Sequence, residues 1–385
     1  MSGTLSEADI AQKVREARNF GELSAILGYA HEEHVVTTDD GYLLKLHRLV
    51  SSKGHENQPK QLHRPVVYFQ HGLLTNSELF MLVTHPRKCL PIVLAEQGYD
   101  VWLGNNRGNK YSLNHVDKKV DSPEFWDFCI DDFARYDIPT SLDYVLTYTK
   151  SAKLSYIGFS QGSAQAFAAF SIHPDLNERV NVFIALAPIM LPAGYSSSLL
   201  NALLKRNPSL IFSIFGRKSM LSSIATLQSI LPFFILQKCV DIGLVHLLGA
   251  YSKNITPLQK IAAYPHIYCS SSVKAIVHWT QIMRNSAFST YEHEHESNVA
   301  SSKRRENEVI PSKRYPTDAI QIPMVLIYGD QDTLFDLDTV MQHLPPSKVT
   351  VCRLADYEHL DVLWGGNVHN DVIPNVLEAL SRVHR

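Results

Sequence analysis

The sequence predicts an α/β fold with a mostly parallel central sheet, helices on both faces and a largely helical insert. The first observation is the run Leu154–Ile157, which is followed by a glycine-flanked serine turn and then by an alanine-rich helical pattern. The second is Met324–Gly329, an apolar run of strand length with acidic residues just past its end, as in a buried parallel strand. The third is composition, because 385 residues that are 45% hydrophobic and only 19% charged can bury a large core.

The serine turn is the pentapeptide Gly158-Phe159-Ser160-Gln161-Gly162, which has the pattern G-x-S-x-G. The helical pattern after it, Ser163–Ile172, stops near Pro174, since proline cannot continue a helix. A serine between a strand and a helix sits on a sharp turn that needs small neighbours and exposes its hydroxyl to a base. The pattern alone is a modest signal, but this context makes Ser160 a candidate nucleophile for ester hydrolysis.

Later stretches supply a candidate acid and a candidate base. Asp330 and Asp332 follow the predicted strand Met324–Gly329, and His359 follows the strand-like run Lys348–Leu354. The order serine, aspartate, histidine along the chain is the one that the α/β-hydrolase fold imposes. The sequence therefore predicts this fold, with either aspartate available as the acid.

A loop upstream of the pentapeptide is a candidate for stabilising negative charge. The predicted strand Pro65–Gln70 runs into His71-Gly72-Leu73-Leu74. A glycine-containing loop at this place can lend a backbone N–H to an oxyanion hole, and the residue after the nucleophile lends a second. Each of these histidines, glycines and aspartates also has an ordinary structural interpretation. Their joint occurrence at strand ends, in the required order, favours the functional one.

The chain resembles the acid lipase family, which includes gastric lipase, lysosomal acid lipase and fungal steryl ester hydrolases. Besides the pentapeptide, the matching stretches are His34–Arg48, Gln70–Leu74, Gly98–Asn109, Phe125–Phe128, Asp137–Pro139, His278–Gln281 and His359–Asp361. The resemblance extends from about residue 20 to the C-terminus. The family usually has histidine where this chain has Phe159, a side chain that we expect to point into helix–strand packing with little chemical consequence. Relatives often have Gly-Gly-x-Asp where this chain has Gly329-Asp330-Gln331-Asp332.

The resemblance implies a role for each site residue. Ser160 would be the nucleophile, Asp332 the acid and His359 the base, and the backbone N–H groups of Leu73 and Gln161 would form the oxyanion hole. It further implies a carboxylic ester hydrolase that acts on neutral lipid esters, either steryl esters or triacylglycerols, through an acyl-enzyme. Neither a metal nor an organic cofactor is implied. Two alternatives stay open: a carboxylesterase for small esters, and a catalytically silent hydrolase fold that binds lipid. An intact triad argues against the silent alternative.

An insert is predicted between the pentapeptide and the acid. Many more residues separate Ser160 from Asp332 than the roughly 60 that two further strand–helix units need. We expect residues 1–190 and 316–385 to form the hydrolase core, with a helical N-terminal segment over about 1–30, and residues 191–315 to form a cap. The cap contains three apolar runs: Leu210–Phe215, Ile230–Leu236 and Ile242–Leu248. Such runs suit the cap's own core, an acyl or sterol pocket, or contact with a lipid surface.

Histidine-rich stretches and charge give no case for a metal or a nucleic acid. His31 and His34 are separated by the wrong spacing for a zinc helix, and we expect them in a solvated turn before a strand. Glu292–Glu296 leads into the polar run Ser297–Arg305, which we expect to be a surface loop. The net charge of −2 offers no general attraction to nucleic acid.

The sequence favours an intracellular protein, cytoplasmic or bound peripherally to a lipid droplet or membrane, and not secreted. Met1–Gln12 lacks the apolar core of a signal peptide or an anchor. Asn254-Ile255-Thr256 is a lone glycosylation sequon that we expect to be unused. The cysteines are odd in number and scattered, which fits a reducing compartment; they are Cys89, Cys129, Cys239, Cys269 and Cys352. The sequence does not predict the oligomeric state.

Overall fold

The computed structural model describes residues 5–50, 64–192, 210–221, 230–293 and 313–384. Within these ranges the chain forms one large twisted sheet, helices packed on both of its faces, and a short two-stranded ribbon. The predicted serine, acid and base all lie in segments that directly follow strands of this sheet.

The sheet is mixed, with an antiparallel edge and a parallel centre. Its strands are β1 (Ala30–Thr37), β2 (Tyr42–Val50), β3 (Val66–Gln70), β4 (Asp100–Leu103), β5 (Asn114–His115), β6 (Leu154–Phe159), β7 (Val180–Leu186), β10 (Met324–Gly329) and β11 (Val349–Leu354); the ribbon pairs β8 (Ser219–Met220) with β9 (Ser271–Ser272). The order across the sheet is β1-β2-β4-β3-β6-β7-β10-β11, and β5 pairs with β2. β2 is antiparallel to β1 and β4, whereas β4, β3, β6, β7, β10 and β11 run parallel.

The helices follow the strands in the order expected of crossover connections. They are α1 (Glu7–Glu16), α2 (Phe20–Ile26), α3 (Leu90–Glu96), α4 (Ile130–Asp132), α5 (Ile138–Thr149), α6 (Gln161–Ile172), α7 (Leu176–Arg179), α8 (Leu210–Phe215), α9 (Phe233–Leu248), α10 (Pro257–Ala263), α11 (Val273–Asn285), α12 (Leu337–Met341), α13 (Asp361–Trp364), α14 (Val368–Asp371) and α15 (Ile373–Val383). A π-helical turn, Phe133–Asp137, joins α4 to α5.

Alternating strand residues build a separate core on each face of the sheet. On β3, for example, Val67 and Phe69 pack with one cluster, whereas Val66 and Tyr68 pack with the other. All four are at most 1% exposed. Because side chains of a strand alternate between faces, a strand buried on both sides is apolar throughout, as the predicted parallel strands are.

A buried ion cluster joins three of the stretches that match the family. The Arg107 guanidinium is 1% exposed and lies 2.6 Å from Asp40 and 2.7 Å from Asp137. These residues come from the β1–β2 turn, the loop after β4 and the start of α5. A buried guanidinium needs such partners, because an unpaired buried charge is costly.

The N-terminal residues form two short helices and then an edge strand. Ser6 caps α1 and Asn19 caps α2, each by accepting a hydrogen bond from a backbone N–H of the first turn. The prediction of a solvated turn at His31 and His34 is wrong, because both residues lie within β1. His34 contacts Tyr144 from α5, with its Nδ1 2.9 Å from the hydroxyl. Pairing with β2 makes this segment a strand. The local sequence contains no pattern from which that pairing could be predicted.

The described part of the insert is mainly helical. Leu236 and Val240 of α9 pack into the core beside α1 and α10, and Ile211 of α8 packs against α11. Several large apolar side chains of α8 and α9 and their surroundings are exposed: Ile214, Phe215, Ile230, Phe234 and Ile242. Among the helices in the described ranges, none has the length and hydropathy to cross a bilayer. The run Ser297–Arg305 lies outside the described residues.

Candidate active site

The pentapeptide forms a tight turn between β6 and α6. Ser160 has φ 53° and ψ −120°, a conformation that costs a non-glycine residue on the order of 1 to 3 kcal/mol. A Cβ on Gly158 would lie 2.6 Å from the carbonyl oxygen of Gly162, and a Cβ on Gly162 would collide with the carbonyl of Gln70. Both glycines are therefore required by close backbone approach, and the strain falls on Ser160.

Three predicted side chains meet at this turn. The Nε2 atom of His359 is 2.9 Å from Ser160 Oγ, and its Nδ1 atom is 2.7 Å from Asp332 Oδ2. A carboxylate only accepts hydrogen bonds, so the proton belongs on Nδ1 and leaves Nε2 free to accept the serine proton. All three residues are buried, with exposures of 7%, 3% and 6% for Ser160, His359 and Asp332. The second oxygen of Asp332 accepts a hydrogen bond from the Leu334 N–H, which fixes the carboxylate.

Asp330 has a different place in the structure. One of its oxygens accepts a hydrogen bond from Arg353, 2.8 Å away, and the other accepts one from the Asp356 N–H at 2.8 Å. The bond from Arg353 lowers the pKa of Asp330 below its ordinary value. Asp330 thus braces the turn that leads to His359, while Asp332 touches the imidazole itself.

The predicted oxyanion loop lies beside the nucleophile. A Cβ on Gly72 would stand 3.2 Å from the Cβ of Ser160, so the loop passes as close as a glycine permits. Leu73 follows in the same loop, and Leu74 has φ 55°. Gln161 is the first residue of α6, where backbone N–H groups have no partner within the helix. Gly72, which precedes Leu73, and Gln161 both lie next to Ser160.

His71 holds this loop, a role that the sequence leaves open. It donates a hydrogen bond from Nδ1 to the Gly72 carbonyl at 2.8 Å, and its Nε2 accepts bonds from Asn106 N at 3.1 Å and Asn109 Nδ2 at 3.2 Å. Burial lowers the pKa of His71 to about 4, so the ring is neutral near pH 7. The signal in the sequence is the asparagine-rich stretch after β4, whose partner could not be identified without the fold.

Phe159 contacts the candidate base as well as the core. Its ring centroid lies 5.2 Å from that of His359, and the side chain is 2% exposed. The side chain is packed in the core, as expected, and its ring also contacts the imidazole, which the sequence did not predict. The expectation of little chemical consequence stays a prediction.

A residue of the insert reaches the turn as well. The indole Nε1 of Trp279, on α11, donates a hydrogen bond to Gln161 Oε1 at 2.8 Å. Trp279 is 5% exposed. The matching stretch His278–Gln281 therefore contributes a contact to the residue that follows the nucleophile.

One group of possible metal ligands occurs in the described residues, built from Cys129, Asp131 and His278. Its ligand atoms lie within 4.8 Å of one another. However, the two oxygens of Asp131 accept hydrogen bonds from Tyr291 N and the Tyr315 hydroxyl. None of these three residues belongs to the turn, the loop or the triad described above.

Comparisons with known proteins identify the family of this chain. A family model described as partial alpha/beta-hydrolase lipase region matches residues 20–84, and one described as alpha/beta hydrolase fold matches residues 65–210. A probable lipase of Schizosaccharomyces pombe is 44% identical over 95% of this chain and 81% of its own length. Human gastric triacylglycerol lipase is 32% identical over 94% of this chain and 91% of its own length.

Solved structures show the same fold at low identity. A putative lipase from Sulfolobus solfataricus has a TM-score of 0.56 at 15% identity, over 92% of this chain and 95% of that chain. A soluble variant of monoglyceride lipase from Saccharomyces cerevisiae has a TM-score of 0.56 at 14% identity, over 91% and 94% of the two chains. The predicted α/β-hydrolase fold is confirmed. This chain belongs to the acid lipase family of α/β-hydrolases and is a carboxylic ester hydrolase.

Proposed function

We propose that the protein hydrolyses neutral lipid esters, steryl esters or triacylglycerols, through an acyl-enzyme on Ser160. The observation that carries the proposal is the continuous contact from Ser160 Oγ through the His359 imidazole to Asp332, at 2.9 Å and 2.7 Å. Nucleophile, base and orienting acid within hydrogen-bond reach are the requirements for activating a serine.

In the first half of the reaction, His359 Nε2 takes the hydroxyl proton as Ser160 Oγ attacks the ester carbonyl. Asp332 keeps the Nδ1–H tautomer in place and stabilises the imidazolium that forms. The N–H groups of Leu73 and Gln161 stabilise the tetrahedral oxyanion, and loss of one such donor in comparable sites costs about 3 to 4 kcal/mol. Collapse of the intermediate breaks the bond to the alcohol, which leaves with the proton from His359.

In the second half, water replaces the alcohol. His359 takes a proton from this water as its oxygen attacks the acyl carbonyl, and the same two N–H groups stabilise the second oxyanion. Collapse returns the proton to Ser160 Oγ and releases the fatty acid. The protein groups in this scheme are three side chains and two backbone N–H groups, and the other reactants are the ester and water.

A lipid substrate is supported by two further observations. The relatives named above are lipases, and one of them acts on triacylglycerol by its name. In addition, the exposed side chains Phe215 and Phe234 lie on α8 and α9 of the insert. We propose that residues 191–315 act as a cap over the site and that these side chains meet the lipid surface. The contact between Trp279 and Gln161 supports a cap position for α11.

We also propose an intracellular location, on a lipid droplet or membrane surface or in the cytoplasm. Support comes from the cysteines, since all five are unpaired. Free thiols persist in a reducing compartment, where disulfides are rare.

The test combines covalent labelling with a substrate panel. Purified wild-type protein should react with a fluorophosphonate probe, and Ser160→Ala should lose labelling and lose activity on the order of 10⁴-fold or more. His359→Ala should behave alike, and the double variant should be hardly worse, since triad members act as a unit. Labelling that persists in Ser160→Ala would contradict the mechanism.

A substrate panel tests the substrate class. The rates at which the wild-type protein hydrolyses cholesteryl oleate, triolein and a short-chain aryl ester are compared. Turnover of the aryl ester alone would favour the small-ester carboxylesterase.

A further inference from the structure

Asn254 of the insert is bonded to both sides of the loop that carries His359. Its side-chain Nδ2 donates to the Asp356 carbonyl at 2.6 Å and to Asp361 Oδ2 at 3.0 Å. The backbone carbonyl of Asn254 accepts a hydrogen bond from the Gly366 N–H at 3.0 Å. The two amide hydrogens of one side chain are thus donated to Asp356, which precedes the candidate base in the chain, and to Asp361, which follows it.

Asp361 in turn joins the two ends of the short segment that contains His359. Its Oδ2 also accepts a hydrogen bond from the Glu358 N–H at 2.8 Å, and the residue is 0% exposed. Burial raises the pKa of Asp361 to about 6, and the hydrogen bond from Asn254 opposes that rise. A buried carboxylate depends on such donors, because an unsatisfied one is costly.

A second contact from the insert reaches the residue before the base. The Ser252 N–H donates to Glu358 Oε2 at 2.5 Å. From the opposite side, Asp330 accepts the hydrogen bond from the Asp356 N–H. The loop is therefore held between the end of β10 and the segment of the insert that joins α9 to α10.

We propose that Asn254 is a positioning residue, which keeps the His359 imidazole within reach of Ser160 and Asp332. This inference rests on the serine–histidine mechanism proposed above. A displacement of about 1 Å at a reacting group can cost about 100-fold in rate, so the loop must be held closely. The proposal also explains the sequon Asn254-Ile255-Thr256: a glycan would replace one of the two Nδ2 hydrogens that the loop uses. The sequon is a structural element and not an acceptor of sugar.

The test is Asn254→Ala, assayed with the short-chain aryl ester. We expect kcat to fall about 10- to 100-fold while KM stays near the wild-type value, because the substrate pocket is intact and only the base is displaced. The rate of fluorophosphonate labelling should fall by the same factor, since it measures the same activation of Ser160. Wild-type kcat and labelling rate in a folded Asn254→Ala protein would overturn the proposal.

Thr256→Ala is a matched control, because it should lower stability without changing the contacts of the loop that carries His359. Thr256 caps α10 by accepting a hydrogen bond from the Gln259 N–H at 3.2 Å. Thr256→Ala also destroys the sequon but leaves both Nδ2 contacts of Asn254. Its melting temperature should fall while kcat stays at the wild-type value.

An isosteric substitution keeps the volume of Asn254 and removes its donors. In Asn254→Asp a carboxylate faces the Asp356 carbonyl and the Asp361 carboxylate, which are both acceptors, so kcat should fall more than in Asn254→Ala. Wild-type kcat in Asn254→Asp would contradict the proposal, and this variant decides the matter if Asn254→Ala does not fold. If the wild-type protein itself is not labelled by fluorophosphonate, the proposed mechanism fails instead.

Discussion

The ring of Phe159 lies against the imidazole of His359, with centroids 5.2 Å apart and planes inclined by 45°. Phe159 is at the end of β6, and Asp332 holds the same imidazole through its Nδ1. The candidate base is therefore held by a hydrogen bond to Asp332 and by a tilted aromatic contact with Phe159.

Phe159→Ala should lower both the stability of the protein and its kcat. Removal of a buried phenyl ring costs about 3 to 5 kcal/mol in free energy of unfolding, and the imidazole gains room to turn away from Ser160. We expect a lower melting temperature and a lower kcat, measured with the aryl ester. Phe159→Leu, which fills most of the volume, serves as the control and should retain most of both. Equal kcat in wild type and Phe159→Ala would show that the contact does not orient the base.

Substitution of the two aspartates after β10 should separate their roles. Asp332→Asn should reduce kcat by on the order of 10⁴-fold, because the amide favours the wrong tautomer of His359. Asp330→Asn should cost far less in kcat, since Asp330 contacts Arg353 and the Asp356 N–H and not the imidazole. Steady-state kinetics of the two variants decide the matter. A larger loss at Asp330 would mean that the acid has been assigned to the wrong residue.

Acid should weaken the oxyanion loop through His71. The pKa of this buried ring is lowered from its ordinary value of 6.5 to about 4, so the unfolded chain binds the proton more tightly than the folded one. The stability that His71 contributes is complete above pH 6.5 and is lost as the pH falls toward 4. At about 1.4 kcal/mol per pKa unit, the loss approaches about 3 kcal/mol.

The measurement is the free energy of unfolding of wild type and His71→Asn between pH 5 and 7.5. The variant has no ring to protonate, so its stability should fall less over this range. Parallel curves for the two proteins would show that His71 does not titrate in this way.

Exposed and half-buried phenylalanines of α9 should respond differently to serine. Phe234 is 63% exposed, and its replacement should leave the melting temperature and aryl-ester activity intact while hydrolysis of emulsified long-chain esters falls. Phe233, its neighbour, packs against the core and under Arg15, so Phe233→Ser should lower stability and all activities together. Proportional losses at Phe234 on short and long esters would make the cap a structural element only.

The sequence predicts the fold, the family and the ester-hydrolase class, and these predictions are confirmed. They succeed because they rest on local patterns: a strand, a glycine-flanked serine and a helix can be recognised within one short segment. The assignments of Ser160, Asp332, His359, Leu73 and Gln161, the cap and the lipid substrate stay predictions.

The features that the sequence did not predict correctly, or did not predict at all, have a common physical cause. His31 and His34 are paired by a partner strand, and Phe159 meets a histidine from the far end of the chain. The hydrogen bonds from Trp279 to Gln161 and from Asn254 to Asp361 likewise join residues that are far apart in the sequence. Local sequence carries no signal for such pairs, because either partner would look the same beside a different neighbour.

The close backbone approach at Gly162 sets the distance between α6 and the loop after β3. Because the missing Cβ would meet the carbonyl of Gln70, the first turn of α6 and the loop after β3 are spaced by backbone against backbone. A side chain at Gly162 would therefore push the loop that contains Gly72 away from α6, and Gly72 lies beside Ser160. Any substitution of Gly162 should for this reason alter the reaction centre as well as the packing.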